Sequence, residues 1–124
     1  MTRHEDWNKQ TLTVIDIATI FRCGKNTVYN WIENKEIHSV KIGNTIRISM
    51  NVFEKWCKSK DFLYNKAEDF HHQVYTIDEI KEILNIGKNA AYDLLKESQF
   101  DVMQLGRIAR ISKKSFDDWL NKEI

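Results

Sequence analysis

Lys25-Asn26-Thr27 and, after one apolar residue, Tyr29-Asn30 place five hydrogen-bonding side chains within six positions. Their chemistry suits nucleic acid. An asparagine amide matches the N6/N7 edge of adenine, and a lysine ammonium meets guanine or phosphate. At the start of a helix, free N–H groups and the positive dipole end also favour phosphate. A second group, Lys41, Asn44 and Arg47, surrounds Gly43-Asn44, a Gly-X pair suited to a two-residue hairpin turn. Such a hairpin meets the minor groove or the backbone. Taken singly, each of these residues reads as an ordinary solvated surface group. Taken together, on one helix and one hairpin, they point to a DNA-contacting surface.

The elements that must hold them follow from periodicity. Val14, Ile17, Ile20 and Phe21 recur as one face of a helix. A tight turn, Arg22-Cys23-Gly24, leads to a second helix that buries Val28, Trp31 and Ile32, with Gly24 as an acceptable N-cap. Two short helices across such a turn make a helix-turn-helix, whose second helix reaches base edges from its N-terminal residues. The period then changes to two. Val40 and Ile42 alternate with Ser39 and Lys41, and Ile46 and Ile48 with Thr45 and Arg47. This hairpin is a wing, with Lys41 and Arg47 expected on the face opposite Val40 and Ile48. A last helix opens near Ser49 and buries Phe53, Trp56 and Cys57. The order is α-α-β-β-α.

The whole pattern occurs twice. Shifted by 63 positions, Thr13–Cys57 aligns without a gap on Thr76–Leu120. Gly24-Lys25-Asn26 returns as Gly87-Lys88-Asn89, Tyr29 as Tyr92, Gly43 as Gly106, Arg47 as Arg110, Phe53 as Phe116 and Trp56 as Trp119. Positions apolar in both copies are expected to be core, including Ile77, Ile80, Ile83 and Leu84, then Ala91, Leu94 and Leu95. The second wing carries Met103, Leu105, Ala109 and Ile111. The fold expected is mainly α with small β-hairpin wings, a tandem winged helix-turn-helix. It divides into a polar leader (1–10), repeat 1 (11–60), a connector (61–74) and repeat 2 (75–124). The connector reads as an extension of the preceding helix plus a short joint. Fully extended, about 16 residues reach on the order of 50 Å, enough to span one helical turn of DNA, about 34 Å.

Charge distinguishes the copies. Thr11–Lys60 holds eight Lys+Arg and four Asp+Glu, a net of 8 − 4 = +4. His72–Ile124 holds eight and nine, a net of 8 − 9 = −1. Phosphate contacts dominate non-specific affinity, so repeat 1 is expected to bind DNA more strongly. Repeat 2 offers Lys88, Asn89, Tyr92, Arg107 and Arg110 in matching places. Ala90 and Asp93, however, replace Thr27 and Asn30. Asp93 would repel phosphate, although it can accept from cytosine N4.

Other residue types point away from catalysis. Cys23 aligns with Ile86 and Cys57 with Leu120, so both read as small core residues. His71-His72 has no further ligands nearby and reads as a connector pair. Trp31, Trp56 and Trp119 fall on apolar stripes, and Trp7 stands in the leader. There is no Ser/His/Asp set, HExxH or phosphate-binding glycine loop. Neither a cofactor nor a metal is expected. The sequence has no membrane-length apolar run and no signal-peptide core, which makes the cytoplasm the expected location.

The stretch LTVIDIATIFRCGKNTVYNWIENKEIHSVKIGNTIRISMNVFEKW, with TVY in the second helix and a wing ending in R-I, resembles the excisionase-type, MerR-like winged helix-turn-helix. The resemblance covers Leu12–Cys57 well and Tyr75–Leu120 less well. The family usually has Ser where Gly24 and Gly87 stand, and often Pro where Ser49 and Ser112 stand. The resemblance implies a DNA binder without enzymatic activity, encoded by a bacterium, a phage or another mobile element. Many members bend attachment-site DNA beside a tyrosine integrase; others regulate transcription. A monomer with two modules, or one self-associating weakly on DNA, fits this picture. Repeat 2 acting as a protein-contact module is the alternative.

Overall fold

A computed structural model describes residues 10–97 and 99–123. Trp7 and all but the last residue of the leader lie outside the described residues. Repeat 1 runs β1 (Thr11–Leu12), α1 (Val14–Phe21), α2 (Lys25–Glu33), β2 (Val40–Ile42), β3 (Thr45–Ser49) and α3 (Met50–Ser59). A 3₁₀ turn at Phe70–His72 precedes repeat 2, which runs β4 (Val74–Tyr75), α4 (Ile77–Leu84), α5 (Lys88–Lys96), β5 (Val102–Leu105), β6 (Ile108–Ser112) and α6 (Lys113–Glu123). The tandem α-α-β-β-α plan is present. Each wing gains a third strand, because the residues before α1 and α4 pair antiparallel with β3 and β6. The sheet orders are β1-β3-β2 and β4-β6-β5.

Local chemistry explains the boundaries. Thr13 and Asp16 form a reciprocal capping box: the Asp16 N–H donates to Thr13 Oγ1 at 3.0 Å, and the Thr13 N–H to Asp16 Oδ2 at 2.9 Å. Thr76 and Glu79 repeat it in α4. Both helices end on a left-handed residue, Arg22 (φ 52°) and Asn85 (φ 54°). That conformation stops the helix and turns the chain into the next one. Gly43 and Gly106 have φ of 61° and 63° at the first turn position, while Asn44 and Arg107 do not share a positive φ. This is the two-residue type II′ pattern expected of Gly-X.

Repeat 1 has the larger core. Phe21 sits within 5.3–6.0 Å, centroid to centroid, of Trp31, Phe53, Trp56 and Phe62. Met103 and Leu105, from the wing of repeat 2, belong to this same cluster. The cluster of repeat 2 is built on Ile80, Phe100, Ile111 and Phe116, with Trp119 and Leu120 only half-buried around it. Cys57 is buried and Cys23 half-buried, as core residues would be. Burial first, and the Glu54 carboxylate second, push the Cys57 thiol up to about 12.

Three expectations change. The connector does not extend α3. The helix stops at Ser59, Asp61 turns left-handed (φ 53°), and Phe62 folds back into the core at 3% exposure. Burying such a ring contributes roughly 1.5–3 kcal/mol, more than two further helical residues would. Tyr64 then stacks edge-on to Phe53, and buried Gln73 donates to the carbonyl oxygens of Asn65 (2.7 Å) and Glu68 (3.1 Å). The connector is packed, not a tether that spans a turn of DNA. Second, Ile83 is exposed although apolar in both copies. Third, Val40 and Ile42 face solvent. β2 pairs Val40 with Arg47 and Ile42 with Thr45, so Arg47 shares the face of Val40, while Lys41 stands with Ile46 on the other. Arg47 and Lys41 thus project from opposite faces of the wing.

Candidate nucleic-acid interface

α2 begins at Lys25, so Lys25, Asn26 and Thr27 occupy its first turn, where unpaired N–H groups point forward. Val28 and Trp31 anchor the helix from behind and are buried. That anchoring turns Lys25, Asn26, Tyr29 and Asn30 outward as exposed side chains, with Thr27 half-buried. Among the described residues none of these five side chains makes a hydrogen bond or ion pair. Their polar groups remain available to a partner.

The wing faces this helix across a cleft. Tyr29, Asn44 and Arg47 meet along one cleft of about 340 Å³, whose remaining wall is Thr13, Val14, Ile15, Thr45 and Ile46. Lys41 does not line it and stands exposed on the other face of the hairpin. Ile15, 63% exposed at the start of α1, is a wall residue that sequence reasoning missed. Its signal was an isoleucine off the apolar stripe, where copy two has Asp78.

Repeat 2 repeats the layout with different contents. Lys88 and Asn89 open α5 as exposed residues, and the Lys88 ammonium lies 6.0 Å from the Tyr92 ring centroid. Tyr92, Arg107 and Arg110 meet in a larger cleft of about 570 Å³ whose floor is apolar, with Ile77, Leu95, Val102 and Ile108. Arg110 departs from the expected wing contact. Its Nε donates to the Phe21 carbonyl oxygen at 2.9 Å, and its Nη2 to the Arg22 carbonyl oxygen at 2.8 Å. Both acceptors are the orphan carbonyls that end α1 of repeat 1, where a cation is favoured. Burial and the neighbouring Arg22 lower the Arg110 pKa. Among the described residues the Arg47 guanidinium bonds only to the Ile46 carbonyl oxygen of its own strand.

Beside that contact the Arg22 guanidinium pairs with Glu79, the capping-box residue of α4. Burial alone would raise the Glu79 carboxyl. The Thr76 N–H and the Arg22 guanidinium outweigh it and hold the group below its ordinary value. Ser112 Oγ also donates to the Leu63 carbonyl oxygen at 2.7 Å. The two repeats are therefore docked, not strung.

Among the described residues no His/Cys/Asp/Glu group could hold a metal ion, and no helix is long and apolar enough to cross a membrane. The sequence profile described as a helix-turn-helix domain matches residues 11–61 and again residues 74–123. No curated protein and no solved structure matches the chain at a significant level.

Proposed function

Because the chain belongs to the helix-turn-helix domain family, of excisionase type and in two tandem copies, we propose that it binds double-stranded DNA in a sequence-specific, non-catalytic way. Repeat 1 is the principal reader. The observation carrying this is the free polar face of Lys25, Asn26, Tyr29 and Asn30, set beside Asn44 and Arg47 in the half of the chain with net charge 8 − 4 = +4. Asn26 supplies base recognition, and Lys25, Lys41 and Arg47 hold the backbone. Lys88, Asn89, Tyr92 and Arg107 form a second, weaker reader. In the excision-type role, the docked pair acts as an architectural factor that bends attachment-site DNA for an integrase. Promoter regulation within a mobile element uses the same contacts.

One observation favours a protein-contact role for repeat 2. The stretch His72–Ile124 is net −1 (8 − 9), and the wing arginine expected at DNA is engaged by repeat 1. Selection from a random duplex pool, followed by anisotropy titration at fixed salt, tests the assignment. Asn26→Ala should weaken the selected site by about 1–3 kcal/mol, and Asn89→Ala by less. Lys25→Ala should lower the salt slope by about one unit. Unchanged affinity in Asn26→Ala removes α2 from the interface. A circular-permutation gel shift and an excision assay with an integrase then separate the bending role from promoter regulation.

A further inference from the structure

The same positions are buried differently in the two repeats, and the differences fall on two complementary faces. In repeat 1, Ile20, Phe21, Trp31, Trp56 and Cys57 are at most 8% exposed. Their counterparts 63 residues on are Ile83, Leu84, Leu94, Trp119 and Leu120. Ile83 is 43% exposed and the other four are half-buried. The cover over the first set comes from outside the module: Phe62 and Phe70 of the connector, and Met103 and Leu105 of wing 2, all join the repeat 1 cluster. Nothing among the described residues covers repeat 2 in this way.

The wings show the converse. Met103 and Leu105 are 4% and 6% exposed, whereas their counterparts Val40 and Ile42 are 51% and 66% exposed. The pairing register is identical: Met103 opposes Arg110 as Val40 opposes Arg47. Wing 1 therefore presents, on one face, the apolar pair and the guanidinium that wing 2 uses to dock.

We propose that copies of this chain associate head to tail, wing 1 of one copy covering the open face of repeat 2 of the next. Each chain already makes this contact once within itself, between wing 2 and repeat 1. Across the new junction, which forms in the absence of DNA, Arg47 exchanges its phosphate contact for the carbonyl oxygens of Leu84 and Asn85, the counterparts of Phe21 and Arg22, which accept from Arg110. The junction is weaker than the internal one, because Asn85 replaces Arg22 and no ion pair to α4 is reproduced. The contact uses a different surface on each partner, so a chain with both intact adds further copies while one with either blocked terminates the array.

Sedimentation velocity of the full chain over rising concentration, without DNA, tests the proposal and keeps it separate from DNA binding. The weight-average mass of the unmodified chain should climb above that of a monomer. Val40→Glu blocks the donor wing and Ile83→Glu blocks the acceptor face; both side chains are exposed, and Val40→Lys serves as a second donor variant. Each variant alone should stay monomeric. An equimolar mixture of Val40→Glu and Ile83→Glu should form a 1:1 dimer, because each retains the surface the other lacks. An unmodified chain monomeric throughout, a self-associating Val40→Glu chain, or a mixture that stays monomeric overturns the proposal.

Discussion

Arg110 Nε donates to the carbonyl oxygen of Phe21 at 2.9 Å, joining residues 89 apart in sequence. The same guanidinium reaches the Arg22 carbonyl oxygen, so a strand of the second repeat caps a helix of the first. The two modules are held by a forked donor over a helix C-terminus, with Met103 and Leu105 sealing the contact beside it.

That cap sets the first prediction. Arg110→Ala removes a charged donor from two carbonyls and should destabilise the chain by about 1.5–3 kcal/mol in urea unfolding at low protein concentration. Arg110→Lys should recover only part, since a single ammonium lacks the fork that meets two acceptors. The matching change in the first wing, Arg47→Ala, should stay within about 0.5 kcal/mol. Equal losses from Arg110→Ala and Arg47→Ala would remove the docking role.

Much of this was legible in residue order, and the part that was not has a common cause. Thr13 with Asp16, Gly43 with Asn44 and the 3.6-residue stripe of α1 are local, so sequence spacing alone specifies them. β1 and β4 are two residues each, too short for alternation to register. Ile83, Val40, Ile42 and Arg110 depend on what lies against them, and copy-to-copy agreement in residue type does not encode a neighbour. A signal existed in the second wing. Val102 and Met103 are consecutive and apolar, with Leu105 beyond, the mark of a strand covered on both faces. In the candidate site, the α2 face followed from helix phase, whereas the placing of Lys41 and Arg47 on opposite faces required the pairing register.

Acid should loosen the docking through Glu79. Its carboxyl is held below the ordinary value of 4.5 in the folded chain. The associated stability is therefore fully present above about that pH and is lost as pH falls through the lower folded value. Urea midpoints measured from pH 6 downward should decline more steeply for the parent chain than for Glu79→Gln, which has no carboxylate to protonate. The difference should shrink in high salt, because both partners are partly exposed. Parallel declines in the two proteins would rule the pair out as a pH-dependent tie.

The two thiols should separate by reactivity. With burial pushing its thiol up to about 12, Cys57 stays protonated at pH 8 and is buried besides. Half-buried Cys23, raised by the same desolvation but offset by Arg110, should react first with a disulfide reagent in the native chain. Cys57 should titrate only after unfolding. A native chain that yields both thiols at one rate would show that the aromatic core opens locally.

Two glycines of repeat 1 should respond oppositely to a side chain. Gly24 caps α2 with φ −73° and ψ 151°, an extended conformation open to any residue, and a Cβ there would meet nothing within 4 Å. Gly24→Ser adds an acceptor for the first-turn N–H groups of α2 and should hold or raise stability by a few tenths of a kcal/mol. Gly43, also open around its Cβ position, has φ +61° in the hairpin turn. Gly43→Ser should therefore cost about 1–2 kcal/mol from backbone conformation alone. At roughly 4–8 °C per kcal/mol for a domain near this size, thermal melts should place Gly43→Ser several degrees below the parent and Gly24→Ser at or above it. The reverse order would mean that the turn tolerates a side chain and that the helix start, not the wing tip, requires glycine.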